Sequence, residues 1–553
     1  MAKNNKYQML FKQLVSSENC WTLLTAGLVL IVTCFPFRMP GLYGYEPDAL
    51  YHLNRIEGVR DALLHGRYPA AIYTNFFDGQ GYGSPLFYPD LLLIFPALLR
   101  ILHCSPLKAY KLTCAVFSVL LVLITERSMK MVCRRWEPAI AGTALFALSQ
   151  YVLADLVVRV GFSSYLSNIF LPPLIAGLAD FFTREGRHVR LIGFSLGGLI
   201  LTHTLNAFQG LLLTAAVFVV MAFTRDGRAA YRDKKRMLRL GTAALFTLAL
   251  TAWYWAPMLE QMCSGVDFVY RHPWADIGEF TQPWEEFFAL TGYFFNIAHV
   301  GIGIPILLFI GSRLFAGRPE DAAGHFGDLC YFLGLALFAA MTDLVPWKVF
   351  SHTLLNQLQF TFRIYPFALL FLIFGLVMLF DRMLPQQTAG GRGRDFRMSA
   401  VMLSALLLSV VFGVVQNRTV TTADPVAFHL ITEETLAEEN DVVGCGEWLP
   451  CAYDPEAERA ETVESAGLVI PARIYYKGYR AVLTAADGSR ITLPVYMEED
   501  GLAAVENPER LEGSVSLIYR RTAVQLVSLF LSLLTLAVLC GLRPLRRLFS
   551  GNR

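Results

Sequence analysis

Apolar residues along this chain gather in unbroken blocks rather than at the spacing of a half-buried helix or strand. Twelve blocks fall at roughly 21–36, 109–126, 138–156, 164–182, 191–206, 208–224, 239–257, 294–312, 327–345, 365–381, 398–415 and 523–541. Each is close to the ~20 residues that carry a helix across a hydrocarbon core ~30 Å thick. The pattern predicts an all-α polytopic membrane protein of about twelve transmembrane helices. Composition points the same way: of 553 residues, 55% are hydrophobic and 17% charged, and mean hydropathy is +0.45, whereas soluble chains are roughly a quarter charged. The net charge of +2 decides nothing, because the two signs are segregated along the chain. The first block follows Lys3, Lys6 and Lys12 and has no small-x-small cleavage site before Phe37-Arg38-Met39-Pro40. It reads as an uncleaved anchor.

The apolar stretch Leu86 to Leu102 decides the topology. If it lies along the outer surface, the basic loops 127–135, 184–190, 225–239, 313–318, 382–397 and 543–547 all fall on the cytoplasmic side, as the positive-inside rule requires. If it crosses, later loops invert. It is therefore expected to be a surface or re-entrant helix, broken by Pro85, Pro89 and Pro96, with both termini cytoplasmic. The transmembrane domain then occupies 1–415, with a first outer loop at 38–108 and an aromatic second outer loop at 258–293. An extracytoplasmic insert at 416–520 precedes the last helix and basic tail at 521–553. The insert carries 19 Asp/Glu against 8 Lys/Arg, which excludes nucleic acid as its partner. Alternation over 473–484, a turn at Asp487-Gly488, and the runs 490–496 and 515–519 predict a small, mainly β domain. Cys445 and Cys451, the two cysteines in a polar region, are a disulfide candidate if that region is extracytoplasmic.

The first outer loop holds the candidate chemistry. In Tyr45-Glu-Pro-Asp-Ala-Leu-Tyr-His-Leu-Asn-Arg55, Pro47 suits a first helical turn. Asp48, Tyr51, His52, Arg55 and Val59 then share one face. Glu46 and Asp48 sit at the positive end of that helix and could take a proton from an alcohol or hold a divalent cation such as Mg or Mn. A solvated pair of loop acids is the bland alternative. Arg159, His203, Gln359 and Arg363 mark the outer ends of predicted spans. Arginine there runs against the positive-inside bias, and ionisable groups at membrane depth are candidates for function. The competing readings are snorkelling for Arg363, an ion pair with Asp155 for Arg159, and a satisfied interhelical contact for His203. Together, carboxylate on one side and guanidinium groups on the other suit displacement of a phosphate leaving group.

Three segments carry a family resemblance: Asp48-Ala-Leu-Tyr-His-Leu-Asn-Arg55, Gly81-Tyr-Gly-Ser-Pro-Leu-Phe-Tyr-Pro89 and Gln359-Phe-Thr-Phe-Arg363. They resemble bacterial GT-C superfamily membrane proteins, nearest those labelled 6-pyruvoyl-tetrahydropterin synthase-related and the YfhO-like proteins. Gly446-Glu-Trp-Leu-Pro450 and Tyr475-Tyr-Lys-Gly-Tyr479 are similar to YfhO-like tails. The resemblance implies a GT-C-like fold in the cytoplasmic membrane. It also implies transfer of a sugar from a polyprenyl phosphate to an outer-face acceptor: an envelope glycan, lipid or protein. It implies that Asp48, with Glu46, is the loop acid and that Arg363 meets the lipid phosphate. His52, Arg55, Arg159, His203 and Gln359 are the accompanying substrate-binding candidates. Two departures stand out: Thr361-Phe362 replaces the usual Pro-Trp before the arginine, and Ser163-Ser164 stand where many members place a glutamate after Arg159.

Two other classes compete. A transporter or flippase of a lipid-linked glycan predicts polar residues at the bilayer midplane and an internal repeat. A non-catalytic envelope scaffold predicts that the acidic insert is a docking surface.

Overall fold

The computed structural model describes residues 18–44, 46–157, 159–272, 276–285, 301–302, 304–311, 313, 318–383, 408–411, 414, 429–438, 443, 446–458 and 460–549. About half of the predicted span 294–312 and most of 398–415 lie outside the described residues, as do Gly390–Gly393 and Cys445.

Among the described residues, six helices are long and apolar enough to cross a membrane: Pro106–Lys130, Phe162–Thr183, Thr204–Ala222, Ala322–Ala340, Thr361–Arg382 and Ala523–Gly541. Two bent pairs follow the same criterion: Trp136–Ala147 with Gln150–Leu156, turned by 45°, and Lys234–Leu250 with Ala252–Met262, turned by 64°. The chain is thus a multi-pass membrane protein. Counting each pair once, eight spans stand among the described residues where twelve apolar blocks were counted. Of the four unmatched blocks, 294–312 and 398–415 lie half or mostly outside the described residues. The block 191–206 yields an 11-residue helix, Arg190–Ile200, only about 16 Å long at 1.5 Å per residue. The chain then turns, and His203 caps the next helix. In the first block, the described helix Glu18–Cys34 has 17 residues. Hydropathy alone does not register where a backbone breaks.

The stretch 86–102 does not form a spanning helix. Two 3-10 turns, Ser84–Leu86 and Leu91–Leu93, lead into an α-helix of eight residues, Ile94–Ile101. Pro85 sits in the first of these turns, where its missing N–H costs nothing.

The helices Phe162–Thr183 and Thr361–Arg382 are buried along almost their whole apolar length. Ala523–Gly541 lies at the periphery, with Val527 and Phe530 exposed, as expected of a lipid-facing helix. Ala322–Ala340 packs closely on Thr361–Arg382 through glycine. A Cβ at Gly375 would come 2.5 Å from Tyr331 N, and one at Gly334 would come 2.6 Å from Leu372 N. Small residues at such crossings let helix backbones approach where lipid offers no hydrophobic drive. Gly375→Val is therefore expected to cost about 1–3 kcal/mol through overpacking, read as a lower melting temperature in detergent.

The β region is built from short ribbons. Strands β1 (Leu42–Gly44) and β2 (His429–Ile431) pair antiparallel, with Tyr43 opposite Leu430. β3 (Thr462–Ser465) pairs with β4 (Leu468–Pro471). β5 (Tyr479–Thr484) is flanked by β6 (Arg490–Leu493) and, later, β9 (Ser514–Tyr519). Between these, β7 (Val495–Met497) pairs with β8 (Ala503–Val505). Ile470, Ala481, Leu483 and Val505 form the small core beneath. The insert is not free-standing. β1 belongs to the first outer loop and β2 to the insert. Gln80 of that loop accepts at Oε1 from Tyr453 Oη (2.8 Å), and its carbonyl accepts from Ile474 N (3.1 Å). Gln261 bonds the backbone of Lys477 at both ends of its amide, 2.7 and 3.1 Å. The insert is thus bonded to both the 38–108 and the 258–293 segments.

Candidate functional site

The helix Glu46–Leu64 begins where the acids and Pro47 predicted a start. Its face carrying Tyr51, His52, Arg55 and Val59 is turned inward, and all four are buried. Arg55, 0% exposed, holds the loop through both terminal nitrogens, while its Nε has no hydrogen-bond partner among the described residues. Its Nη2 donates to the carbonyls of Pro89 (2.8 Å) and Tyr88 (3.3 Å), and its Nη1 donates to Ser163 Oγ (3.1 Å) and lies 3.4 Å from His52 Nδ1. Its guanidinium also rests 4.1 Å from the Tyr88 ring centroid. Asp90 supplies a counter-charge nearby, and accepts hydrogen bonds from Tyr73 (2.7 Å) and Tyr68 (3.0 Å). Burial and the Arg55 charge hold the His52 imidazole well below its ordinary pKa, so it is neutral. Arg55→Met would strand two carbonyls and unbalance Asp90. Breaking a buried charged network of this kind costs about 3–5 kcal/mol, so the variant is expected to lose most folded, monodisperse protein on size exclusion.

Beside this clamp, electrostatic coupling groups a second set of polar side chains around Asp48. Asp48 is half-buried, and among the described residues no donor bonds its carboxylate. Burial pushes its pKa up to about 6; the charge of Glu447 adds to the rise, Arg363 and Arg159 oppose it, and Asp155 adds a smaller rise. Asp48, Arg363, Arg159, Asp155 and Glu447 therefore share one electrostatic environment. The side chain of Glu46 lies outside the described residues.

The two arginines are held differently. Arg159 forms an ion pair with Asp155, Nη2 to Oδ1 2.8 Å, and Asp155 accepts from Ser164 Oγ (2.7 Å) at its other oxygen. The guanidinium lies 4.5 Å from the Tyr151 ring centroid and 4.3 Å from that of Phe362. Arg363 uses Nη1 alone, donating to Gln359 Oε1 (2.8 Å) and the Leu358 carbonyl (3.2 Å). It forms no ion pair among the described residues, and its Nε and Nη2 make no hydrogen bond there. Both arginines adjoin disfavoured backbone. Gln359 (φ 61°, ψ −44°) centres a γ-turn in which Phe360 N donates to the Leu358 carbonyl at 2.6 Å. Val160, a β-branched residue, has φ 54°. Such conformations cost energy and tend to cluster at functional sites.

His203 caps helix Thr204–Ala222: its Nδ1 accepts from Asn206 N at 3.1 Å. That bond requires an unprotonated Nδ1, so the ring proton sits on Nε2. The ring stands edge-on to Tyr88 at 5.7 Å. Asn206 Nδ2 donates to Ser167 Oγ at 2.6 Å.

The insert supplies residues that sequence reasoning did not place in the site. Trp448 stacks on Phe87 (centroids 5.4 Å, planes 6° apart) and lies 6.4 Å from Tyr88. Beside it, Glu447 faces Asp48 and Arg363 electrostatically, with a pKa raised by burial and partly restored by Arg363. Asp48 and Glu447 are the carboxylates here that could hold a divalent cation. Two carboxylates fill only part of an oxygen shell of six or more, and no group of three metal-ligating side chains converges on Asp48 among the described residues. Donor phosphate and water would have to complete such a shell. Cys451 is exposed and Cys445 lies outside the described residues, so their pairing is not seen.

Residues 15–350 match the model of a family described as "Family of unknown function (DUF6541)". No curated protein matches the chain. Among solved structures, a cryo-EM structure of the arabinofuranosyltransferase AftD from Mycobacteria is 17% identical, covering 72% of this chain and 27% of that one, with TM-score 0.44. One class of an AftD mutant gives 18% identity, 71% and 27% coverage and TM-score 0.45. This chain spans about a quarter of AftD's length, covering 27% of it.

Proposed function

The chain belongs to that family of unknown function, and from this premise we propose that it is a GT-C-type membrane glycosyltransferase. It takes a sugar from a polyprenyl-phosphate donor to an acceptor hydroxyl on the outer face of a bacterial cytoplasmic membrane. One observation carries the reading: the carboxylate of Asp48, unbonded among the described residues, is electrostatically coupled to Arg363, whose guanidinium uses only one nitrogen in hydrogen bonds there. The sequence resemblance at Asp48–Arg55 and Gln359–Arg363 supports it from a separate direction.

Asp48 accepts the acceptor's hydroxyl proton, the freed oxygen attacks the anomeric carbon, and the bond to phosphate oxygen breaks with its electron pair leaving on the phosphate. A carboxylate with pKa about 6 is ionised at neutral pH yet basic enough to take a proton in the transition state. Arg363 meets the charge that develops on the leaving phosphate, where a fixed donor in a water-poor site has the largest effect. Arg159, already paired with Asp155, adds field rather than a direct grip. Phosphate is a good leaving group, so the second acid that soluble glycosidases use to protonate an alkoxide is not required.

The test is the envelope of cells with and without the protein. Loss of one sugar from an envelope glycan, with build-up of its polyprenyl-phosphate precursor by mass spectrometry, is expected. Unchanged glycans with no lipid-linked build-up would overturn the reading.

A further inference from the structure

The second outer loop and the insert meet along a short antiparallel ladder. Val269 N donates to the Leu449 carbonyl (3.0 Å), Tyr270 N to the Glu447 carbonyl (2.8 Å) and Cys451 N to the Asp267 carbonyl (2.8 Å), and Phe268 bridges Pro450. At one end of this ladder three side chains of different ligand chemistry converge. The ligand atoms of Asp267, His272 and Cys451 all lie within 4.8 Å of one another. His272 Nε2 is already 2.9 Å from Asp267 Oδ2.

We infer that Asp267, His272 and Cys451 form a zinc-class metal site that fastens the insert to the second outer loop. The inference goes beyond the transferase reading and does not depend on it. Thiolate plus imidazole favours zinc over magnesium or calcium, which prefer all-oxygen shells. A thiolate and a carboxylate together carry the two negative charges that neutralise a divalent ion, with the imidazole neutral. Three protein ligands leave the fourth tetrahedral position to water, and all three residues are exposed, so an ion enters directly from solvent. Backbone bonds at Cys451 and the 3-10 turn Val269–Arg271 hold the ligands in place before metal arrives. Arg271 is the opposing feature: its charge acts on Asp267 and Cys451, while its Nη2 donates to the Met262 carbonyl.

Binding displaces the Cys451 thiol proton to solvent, and the imidazole and the carboxylate supply lone pairs to the same ion. The consequence reaches Asp48, because the same ladder carries Glu447, whose charge acts on that carboxylate. A disulfide between Cys445 and Cys451 is incompatible with this use of Cys451.

The experiment uses the full chain in detergent, titrated with zinc chloride against a chromophoric chelator. One zinc per chain is expected. Cys451→Ser and His272→Gln should each weaken binding by more than the roughly 10–100-fold that loss of an outer-shell partner costs. Both sites are exposed, so the variants should elute as the parent does on size exclusion. Zinc should also slow proteolysis at the insert in the parent and not in the variants. Equal zinc affinity in parent and variants would overturn the site, as would intact-mass evidence that Cys451 is disulfide-bonded in the purified parent.

Discussion

Asp48→Asn is expected to abolish sugar transfer while raising the melting temperature at pH 7.5. The two effects share a cause. Asp48 titrates near 6 in the folded protein against 3.8 for an ordinary aspartate, so between those values the folded chain holds a proton that the unfolded chain has lost. Stability from this group is full below pH 3.8, falls as pH rises through the window to about 6, and stays reduced above it. A shift of about two units corresponds to roughly 3 kcal/mol at most, since Asp48 is only half-buried. Asparagine never ionises and so escapes the cost. The gap in melting temperature between variant and parent should therefore be largest above pH 6.5 and close below pH 4. In the parent, kcat/KM should fall about tenfold per pH unit below the Asp48 pKa, as for an essential base. A variant that melts lower than the parent at pH 7.5, or that transfers sugar at more than about a thousandth of the parental rate, would remove Asp48 from the base role.

The parts of this arrangement that were legible in sequence share a trait: their signal is local. Pro47 and the neighbouring acids mark the start of the helix Glu46–Leu64. The prolines of 86–102 mark a stretch that does not run on as one spanning helix. Residues whose role depends on distant partners were not legible. Arg55 looks like a ligand in a motif, yet its acceptors are the carbonyls of Tyr88 and Pro89 and the hydroxyl of Ser163, and no spacing rule joins these. Glu447 is one of 19 acids in the insert; only docking onto the first loop separates it from the solvated ones. A tryptophan beside an acid and after Gly446, which takes a positive φ of 63°, was the available hint. Breaks within the apolar blocks were hidden for a related reason. The turns near Ser149 and Thr251 and the cap at His203 interrupt blocks whose hydropathy is continuous.

Arg363→Lys separates charge from geometry at the same site. Lysine keeps the positive charge but has one nitrogen where arginine has a planar fork. In the parent, one nitrogen is held by Gln359 Oε1 and the Leu358 carbonyl, and the remainder of the fork is left for phosphate. An ammonium cannot satisfy the strained turn at Gln359 and reach the donor at once. Removing one well-placed donor to a developing anion lowers kcat by about 10²–10³, or ~2.7–4 kcal/mol, and a loss in that range is expected for Arg363→Lys with KM for the lipid donor nearly unchanged, because the contact strengthens only as the phosphate departs. The melting temperature should move little, in contrast to Arg55→Met, since Arg363 lacks an ion-pair partner among the described residues. Steady-state transfer with a purified polyprenyl-phosphate sugar measures both constants. A pure rise in KM at constant kcat would make Arg363 a docking contact for the lipid, and equal rates in lysine and arginine proteins would show that the fork has no part in the chemistry.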